Sequence, residues 1–416
     1  MPSALPPGDP APVDGSLPLA SLSAVGDRPL GIYLHVPFCR TRCGYCDFNT
    51  YTPVELLGRS ADGELRGSTD LTETGDAYVD AALAEIDLAG RVLGTDAPPV
   101  STVFVGGGTP TLLAASDLVR LLRRIETVFG LAADAEVTTE ANPESVSPAS
   151  LSALREGGFT RISFGMQSAV PHVLATLDRV HSPGRSLTAV AEARTAGFEQ
   201  VSLDLIYGTP GESLADWRTS VERALSARPD HISAYALVVE DGTNMATRVR
   251  RGELPLPDDD DLADKYLLAE DLLSDAGYQA YEVSNWAVRP EAACRHNLGY
   301  WRGDDWWGIG PGAHSHVGGT RWWNVKHPAA YAARLASAQS PAHAREVLSA
   351  DDRALEQVLL EIRLAEGMSL DRLSDRGRSR VAALAARSLV TVTDDRLRLT
   401  LNGRLLADAV VRELVD

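Results

Sequence analysis

Six short apolar runs, separated by segments with helical periodicity, constrain the fold of this chain more than any other feature of its sequence. The runs are rich in β-branched residues and nearly continuous in hydrophobicity, which is typical of strands buried in a parallel sheet. The predicted strands are Gly31–Pro37, Val100–Gly106, Glu136–Glu140, Arg161–Gly165, Gln200–Tyr207 and His231–Val239. Between them, helical spacing is clearest at Leu118, Leu121, Leu122, Ile125, Val128 and Phe129. Strands that alternate with helices predict an α/β fold with a parallel sheet and right-handed crossovers.

The chain has 416 residues, which is more than a single α/β barrel of about 250 residues requires. We predict four parts from the changes in composition. They are an unstructured leader rich in Pro and Ala at 1–28, a barrel at 29–240 with an inserted surface loop at 51–77, an extension rich in Trp and His at 241–345, and a C-terminal domain at 346–416. The last part contains a helix, an alternating segment at Leu389–Leu401 and a closing helix, which predicts a small winged-helix-like domain.

Charge and hydropathy restrict the partners and the location of the protein. There are 57 acidic and 39 basic residues, and the net charge of −18 argues against a nucleic-acid partner, since phosphate binding depends on Lys and Arg. No segment reaches the roughly 18 apolar residues of a membrane span. The first basic residue is Arg28, so the N-terminus lacks the positive region of a signal peptide. We therefore expect a cytoplasmic protein.

Three of the four cysteines form a C-x3-C-x2-C motif directly after the first predicted strand. Cys39, Cys43 and Cys46 would lie on a loop at the carboxyl end of that strand, where α/β barrels carry their chemistry. Three thiolates are one too few to close a tetrahedral zinc site or to saturate a four-iron cluster. The motif favours a [4Fe–4S] cluster with one iron open to a chelating ligand. The alternative is structural zinc, with Cys294 or a histidine as the fourth ligand.

Polar residues also follow the later predicted strands. A glycine loop, Gly106–Pro110, comes after the second strand, and its bare backbone can hydrogen-bond a carboxylate or an amine. The polar residues after the next three strands are Glu140, Gln167 and Asp204. Their common position at successive strand ends favours a shared ligand site. Alternatively, Asp204 forms an internal ion pair with Arg161 or Arg179.

Together these stretches resemble the radical S-adenosylmethionine superfamily, and within it the oxygen-independent coproporphyrinogen III oxidase-like proteins regarded as heme chaperones. The matching stretches are Ile32–Cys39, Gly106–Thr111, Thr139–Pro143, Arg161–Ser168, Asp204–Pro210 and Glu282–Trp301. The resemblance implies an incomplete (β/α)6 barrel in which Cys39, Cys43 and Cys46 ligate the cluster. It also implies that S-adenosylmethionine contacts Tyr33, Tyr45, Gly107, Gly108, Thr109, Glu140, Gln167, Arg179 and Asp204.

A motif in the extension bears on heme. The segment Cys294–Trp301 has the H-N-x-x-Y-W pattern of the chaperone-like branch, which implies that His296 contacts heme. Six of the 7 tryptophans and four of the 9 histidines lie between Trp286 and His327, and heme needs an axial donor and apolar walls. The alternatives are a core histidine packed among aromatic residues, or ligation by His314 or His316. Cys294 is expected to be a buried apolar residue or a site of thioether attachment.

Three functions remain open from the sequence. The first is a heme chaperone that binds a [4Fe–4S] cluster, S-adenosylmethionine and heme and transfers heme to an unidentified acceptor protein. The second is an oxygen-independent coproporphyrinogen III oxidase, in which reduction of the cluster cleaves S-adenosylmethionine to a radical. Oxidases of this family carry a further cysteine where this chain has Phe48, and the leader lacks their substrate-related residues, which favours the chaperone. The third is a zinc-stabilised interaction module. A homodimer would cover an exposed Trp-rich surface.

Overall fold

The computed structural model describes residues 5–58, 72–179, 182 and 184–415. Within these residues, a 13-stranded sheet forms the body of the protein, and a 3-stranded sheet lies near the C-terminus. The strands of the large sheet are β1 (Asp9–Pro10), β2 (Leu30–Val36), β3 (Val100–Gly107), β4 (Leu131–Ala141), β5 (Arg161–Gln167), β6 (Gln200–Tyr207), β7 (His231–Ala236), β8 (Gln279–Ala280), β9 (Asn285–Ala287), β10 (Asp305–Ile309), β11 (His314–Val317), β12 (Thr320–Asn324) and β13 (Ala342–Val347). The small sheet comprises β14 (Met368–Ser369), β15 (Val390–Thr393) and β16 (Arg396–Leu399).

Helices cover the large sheet and surround the small one. They are α1 (Leu19–Ser23), α2 (Pro53–Leu57), α3 (Thr72–Leu93), α4 (Ala115–Phe129), α5 (Pro148–Glu156), α6 (Pro171–Thr176), α7 (Arg185–Thr195), α8 (Leu214–Ser226), α9 (Asn244–Arg250), α10 (Asp259–Asp275), α11 (Arg295–Arg302), α12 (Pro328–Ala336), α13 (Ala350–Glu361), α14 (Asp375–Ala386), α15 (Leu401–Leu405) and α16 (Ala407–Val415). Of these helices, none has both the length and the apolar character that a bilayer span requires.

The centre of the large sheet is the parallel array predicted from the sequence. Strands β2 to β7 lie side by side in chain order, and each neighbouring pair is parallel. Their apolar side chains are buried because helices cover the array, as Ile32, Val103 and Ile162 show. Parallel strands place all their carboxyl ends at one edge, which is where the loops with the polar motifs begin. The predicted α/β fold is confirmed.

The extension at 241–345 is part of the same sheet, which corrects the expectation that it follows the barrel as a separate part. Strand β10 pairs in parallel with β2, and β11, β12 and β13 continue this edge. At the other edge, β9 pairs antiparallel with β7. The strands of the extension are short and are not separated by regular helices. The sequence therefore lacked the alternation of strands and helices that predicted the parallel array, and the continuation of the sheet was not predicted.

The leader is ordered over the residues that the structure describes, so the expectation of an unstructured 1–28 is wrong for 5–28. Asp9 and Pro10 pair with β13, and the Ser21 hydroxyl lies 2.8 Å from that of Thr320. Leu17 and Leu22 pack against the main core. A segment with few apolar residues can order when those residues contact an existing core, and local composition does not reveal this.

The inserted loop predicted at 51–77 is shorter than expected. Helix α2 occupies Pro53–Leu57, with a capping box between Thr52 and Glu55, and α3 already begins at Thr72. Residues 59–71 of the predicted loop lie outside the described residues.

The C-terminal region has its own hydrophobic core, separate from that of the large sheet. The buried residues of this core include Val358, Ile362, Leu384, Leu397, Val410 and Leu414. Strands β15 and β16 form the hairpin expected within Leu389–Leu401, and helices α13, α14 and α16 contribute side chains to the same core. The separate C-terminal domain is confirmed.

Candidate functional site

The cysteine motif lies on a closed loop at the carboxyl end of β2. The Cys39 N–H donates to the Tyr51 carbonyl at 3.1 Å, and the Tyr51 N–H donates to the Pro37 carbonyl at 2.7 Å, so the base of the loop is tied. Within the loop, the Cys46 N–H donates to the Cys43 carbonyl at 3.2 Å. Cys39 is buried, and Cys43 and Cys46 are half-buried. Burial raises the pKa of the Cys39 thiol to about 12, with a smaller contribution from Cys46.

One cavity of about 430 Å³ brings the three thiols together with most of the residues expected to contact S-adenosylmethionine. Its lining includes Cys39, Cys43, Cys46, Tyr45, Gly107, Gly108, Thr109, Glu140, Gln167, Arg179 and Asp204. These residues come from different segments of the chain. The strand-end rule had grouped Glu140, Gln167 and Asp204, and the others were expected from the family resemblance. Tyr33 is the exception, because it lies deeper inside the barrel, with its hydroxyl 3.0 Å from His35 Nδ1.

The glycine loop fits closely against the chain that leads into Cys39. A Cβ atom at Gly108 would lie 2.4 Å from the Phe38 carbonyl oxygen and 3.0 Å from Cys39 Sγ. The Thr109 N–H donates to the same carbonyl at 2.7 Å. On the other side, Arg179 Nη1 donates to Cys43 Sγ at 3.5 Å. Three thiols on one cavity wall, with a guanidinium beside them, form a donor set that suits an iron–sulfur cluster.

Two half-buried carboxyl groups line this cavity. Glu140 Oε2 accepts the Gly107 N–H at 3.0 Å, and burial, assisted by Asp204, raises the pKa of Glu140 to about 8. Asp204 accepts the Ser163 hydroxyl at 2.8 Å, and burial raises the pKa of Asp204 as well. A bound cation such as an amine would favour ionisation of both groups.

The suggested ion pair of Asp204 with Arg161 or Arg179 is not formed. Arg179 donates to the Gly165 carbonyl at 2.9 Å, and Arg161 donates to the Ala292 carbonyl at 2.7 Å. Within the described residues, the ion-pair contact of Arg161 is with Glu136, at 4.0 Å.

Gln167 adopts a backbone conformation that is uncommon for a residue with a side chain. Its φ is 66°, and the register between β5 and β6 shifts between Gly165 and Gln167. Such a bulge turns the end of a strand and redirects the side chain that follows. Non-glycine residues in the left-handed region are concentrated at functional sites, where the surrounding fold holds them in place.

A second cavity, of about 460 Å³, occupies the lumen of the barrel. Cys46 and Phe48 line its end near the cysteine loop, Tyr33 and Phe104 line its middle, and His296 lines the far end. Further lining residues that sequence reasoning did not select as site residues are Arg161, Ser163, Ser202, His231, Ser233 and Tyr235. The sequence contained one signal for these residues. They are polar residues in otherwise apolar strands, at the alternate positions whose side chains face the lumen.

His296 lies at the opposite end of the barrel from the cysteine loop. Its ring is next to Gly31 and Thr102, which are near the amino ends of β2 and β3. Nδ1 lies 2.8 Å from the Thr102 hydroxyl, and Nε2 lies 2.9 Å from the Tyr300 hydroxyl. The ring is 4% exposed, and burial lowers the pKa of His296 to about 3, so the imidazole is neutral. Coordination of iron by Nε2 would require the Tyr300 hydroxyl to leave.

Helix α11, which carries His296, is held to the amino ends of the strands by three residues. The His296 N–H donates to Glu136 Oε1 at 3.1 Å. The Arg295 guanidinium donates to Asp134 at 2.7 Å and to the Ser101 carbonyl at 2.9 Å. The helix therefore closes the end of the barrel that is opposite the cysteine loop.

Zinc with Cys294 as the fourth ligand is wrong. The Cys294 thiol donates to Glu136 Oε1 at 3.6 Å, at the start of α11 and therefore across the barrel from Cys39. Among the described residues, no group of three or more His, Cys, Asp or Glu side chains is close enough to hold a single ion.

The tryptophans of the extension mostly fill the core, which corrects their expected role as heme walls. Trp286, Trp307, Trp322 and Trp323 are buried. In the described part of the chain, no tryptophan is among the exposed large apolar residues, so the reason given for a dimer does not hold. Of the substitute ligands, His314 stacks on Trp323, and His316 Nδ1 lies 3.4 Å from the Asp304 carbonyl.

Comparisons with known proteins agree with this geometry. Residues 33–224 match the Radical SAM superfamily, and residues 348–406 match the HemN C-terminal domain. Heme chaperone HemW of Mycobacterium tuberculosis is 55% identical over 95% of this chain and 97% of that protein. Heme chaperone HemW of Bacillus subtilis is 32% identical over 91% of this chain and 97% of that protein. The solved structure of coproporphyrinogen III oxidase HemN from Escherichia coli has a TM-score of 0.79 and 24% identity, covers 97% of this chain and 94% of that chain, and shows the shared fold. The chain belongs to the HemW family within the radical S-adenosylmethionine superfamily.

Proposed function

We propose that this chain is a heme chaperone: it binds a [4Fe–4S] cluster, S-adenosylmethionine and heme, and it transfers heme to an acceptor protein. The observation that carries the proposal is the cavity that three thiols share with polar side chains from successive strand ends. The resemblance to HemW proteins over nearly the whole chain supports heme as the cargo. The net charge of −18 argues against a nucleic-acid partner. We also expect the protein to act in the cytoplasm.

The cluster and S-adenosylmethionine would share the cavity next to the cysteine loop. Cys39, Cys43 and Cys46 would hold the cluster, whose remaining iron supplies a site that chelates an amino group and a carboxylate. The Glu140 and Asp204 carboxyl groups would accept hydrogen bonds from amino or ribose groups. Because the pKa values of both groups are raised, they can ionise when a cation enters and so retain it.

Heme would bind at α11, with His296 as the axial donor. The neutral imidazole has the protonation that a metal ligand requires. His296 and Tyr300 also line a surface cavity of about 240 Å³ whose wall includes Trp306, Arg295 and Arg302. The Trp306 ring suits a flat porphyrin. The two guanidinium groups are already paired, Arg295 with Asp134 and Arg302 with Glu366, so heme propionates would have to displace these carboxylates.

The oxidase is the second candidate, because the lumen extends inward from the cysteine loop and has room for an organic substrate. At the mouth of that lumen, the position of the additional cysteine of the oxidases is occupied by Phe48, whose surface is 56% exposed. This difference favours the chaperone.

One reconstitution distinguishes the two candidates. Anaerobic protein is supplied with iron, sulfide and S-adenosylmethionine, and then divided between heme and coproporphyrinogen III. A stoichiometric Soret band that weakens in His296→Ala supports the chaperone. Conversion of coproporphyrinogen III to protoporphyrinogen IX would overturn it, and failure to assemble any iron–sulfur chromophore would overturn both candidates.

A further inference from the structure

The ring of His296 is held between two hydroxyl groups that belong to different elements. Thr102 lies on β3, and its hydroxyl contacts Nδ1 at 2.8 Å, whereas Tyr300 lies one turn further along α11 and contacts Nε2 at 2.9 Å. Gly31 makes room for this arrangement, because a Cβ atom there would lie 2.9 Å from Thr102 Oγ1 and 3.2 Å from His296 Cε1. Both ring nitrogens are therefore committed, and their partners determine which of them carries the proton.

The chemistry of the two hydroxyls indicates the tautomer. A neutral imidazole donates from one nitrogen and accepts at the other. A phenolic hydroxyl is a stronger donor than an aliphatic one, so the Tyr300 hydroxyl donates to Nε2. The Nδ1–H of His296 then donates to Thr102 Oγ1.

We infer that Thr102 is a positioning residue for heme ligation: by accepting the Nδ1–H of His296, it fixes the tautomer whose Nε2 lone pair can take the iron. This inference rests on the proposed function, because it assigns a role to Thr102 through His296. Metal-bound histidines generally donate their other N–H to an acceptor that fixes the ring and increases its basicity. Here that acceptor is in place before the metal arrives.

The two hydroxyls differ in how easily they can move. Strand β3 lies inside the sheet between β2 and β4, and Thr102 is buried, so its hydroxyl stays fixed. Tyr300 is half-buried, and its ring lies on the wall of the surface cavity. Rotation of Tyr300 would expose Nε2 while Thr102 retains Nδ1, so the ligand is oriented before heme binds.

The test compares Thr102→Val with Thr102→Ser in the full chain. Valine keeps the shape but removes the acceptor, and serine restores the acceptor. Thr138→Val is a matched control, because Thr138 is a buried threonine on the adjacent strand β4 whose hydroxyl has no hydrogen-bond partner within the described residues.

The first readout requires no heme. Nitrogen-15 NMR of histidine-labelled protein, with the His296 signals assigned from their loss in His296→Asn, should show an Nδ1-protonated ring in wild type, Thr102→Ser and Thr138→Val. Thr102→Val should shift the ring toward the Nε2-protonated tautomer. An unchanged tautomer in Thr102→Val would overturn the inference, even if the variant also lost stability.

The second readout is heme titration, followed by the Soret position and the midpoint potential of the bound heme. Thr102→Val should bind heme at least about tenfold more weakly, and its iron-bound imidazole should be less basic. Thr102→Ser and Thr138→Val should match wild type. Equal affinity and potential in Thr102→Val would overturn the positioning role. Absence of heme binding by the wild-type protein would instead overturn the proposed function, and the tautomer measured without heme keeps these two failures distinct.

Discussion

The Oε2 atom of Glu140 lies 3.0 Å from the backbone nitrogen of Gly107, so that a half-buried carboxyl group at the end of β4 holds the glycine loop that follows β3. A Cβ atom at the neighbouring Gly106 would lie 2.9 Å from the same oxygen, so the contact depends on the bare backbone. Burial and Asp204 raise the pKa of Glu140 to about 8. The loop is therefore tied to a carboxyl group that is protonated near neutral pH and able to ionise beside a bound cation.

Replacement of Glu140 should weaken S-adenosylmethionine binding without loss of the loop. Glu140→Gln keeps an oxygen for the Gly107 N–H but has no charge to offer an amine or a sulfonium. We expect at least a tenfold loss of affinity, measured by equilibrium dialysis of the reconstituted protein, since hydrogen bonds to charged groups contribute about 1.5–3 kcal/mol. Wild-type affinity should rise with pH up to about 8 as the carboxyl group ionises, and this rise should be smaller in the variant. Glu156→Gln, at the exposed end of α5, is the control. Equal affinities for Glu140→Gln and wild type would contradict the assignment.

Replacing each cysteine singly should distinguish the three proposed cluster ligands from Cys294. Cys39→Ala, Cys43→Ala and Cys46→Ala should each lose the iron–sulfur chromophore, as measured by absorption and by iron and sulfide content. Cys294→Ala should retain the chromophore, because the Cys294 thiol is hydrogen-bonded to Glu136 at the other end of the barrel. Loss of the chromophore in a folded Cys294→Ala protein would refute this division.

Gly108 should not tolerate a side chain. In Gly108→Ala the new methyl group would meet the Phe38 carbonyl at 2.4 Å, and this backbone atom can move only by shifting Cys39. We expect a loss of about 1–3 kcal/mol in the free energy of unfolding and lower cluster occupancy, measured by denaturant titration and iron analysis. In the control Gly75→Ala, on α3, the methyl group would meet only the end of the Leu113 side chain, at 3.2 Å, so stability should be maintained or improved by up to about 1 kcal/mol. Equal tolerance at the two positions would contradict the close fit of the glycine loop.

The sequence predicted those features that depend on neighbouring residues. Hydrophobic runs identified strands β2 to β7, and the spacing of Cys39, Cys43 and Cys46 identified their loop. The strand-end rule grouped Glu140, Gln167 and Asp204, and all three line one cavity, since parallel strands bring their carboxyl ends together whatever the chain does between them.

Features that depend on distant partners were not predictable. Thr102 and His296 are 194 residues apart, and nothing local to either marks the contact. Likewise, a cluster of tryptophans in the sequence does not reveal whether their rings face a ligand or pack on each other. In the structure, Trp307 and Trp322 pack on each other, with ring centroids 4.7 Å apart. The order of the leader depends in the same way on β13, more than 300 residues away.

Glu85 should make the stability of the protein depend on pH. This residue of α3 is fully buried, where Oε2 accepts the Gly310 N–H and Oε1 accepts the Asn324 amide, each at 2.8 Å. Burial raises the pKa of Glu85 to about 7, whereas an unfolded chain has a glutamate pKa of about 4.3. Between these values the folded protein binds a proton that the unfolded chain has lost. The contribution of Glu85 to stability is therefore complete below about pH 4 and is lost as the pH rises through about 7.

The measurement is the free energy of unfolding from denaturant titration at a series of pH values between 4.5 and 7.5. The wild-type value should decrease with rising pH relative to that of Glu85→Gln, by roughly 3 kcal/mol at most across this range. Other buried carboxyl groups, such as Glu212 with its pKa raised to about 7 by burial, are present in both proteins and cancel in the difference. Asp80→Asn, an exposed position on the same helix, should leave the pH profile parallel to wild type. Parallel curves of unfolding free energy against pH for wild type and Glu85→Gln would contradict the prediction. Glu85 would then be ionised in the folded protein, and its hydrogen bonds from Gly310 and Asn324 would compensate fully for the loss of solvent.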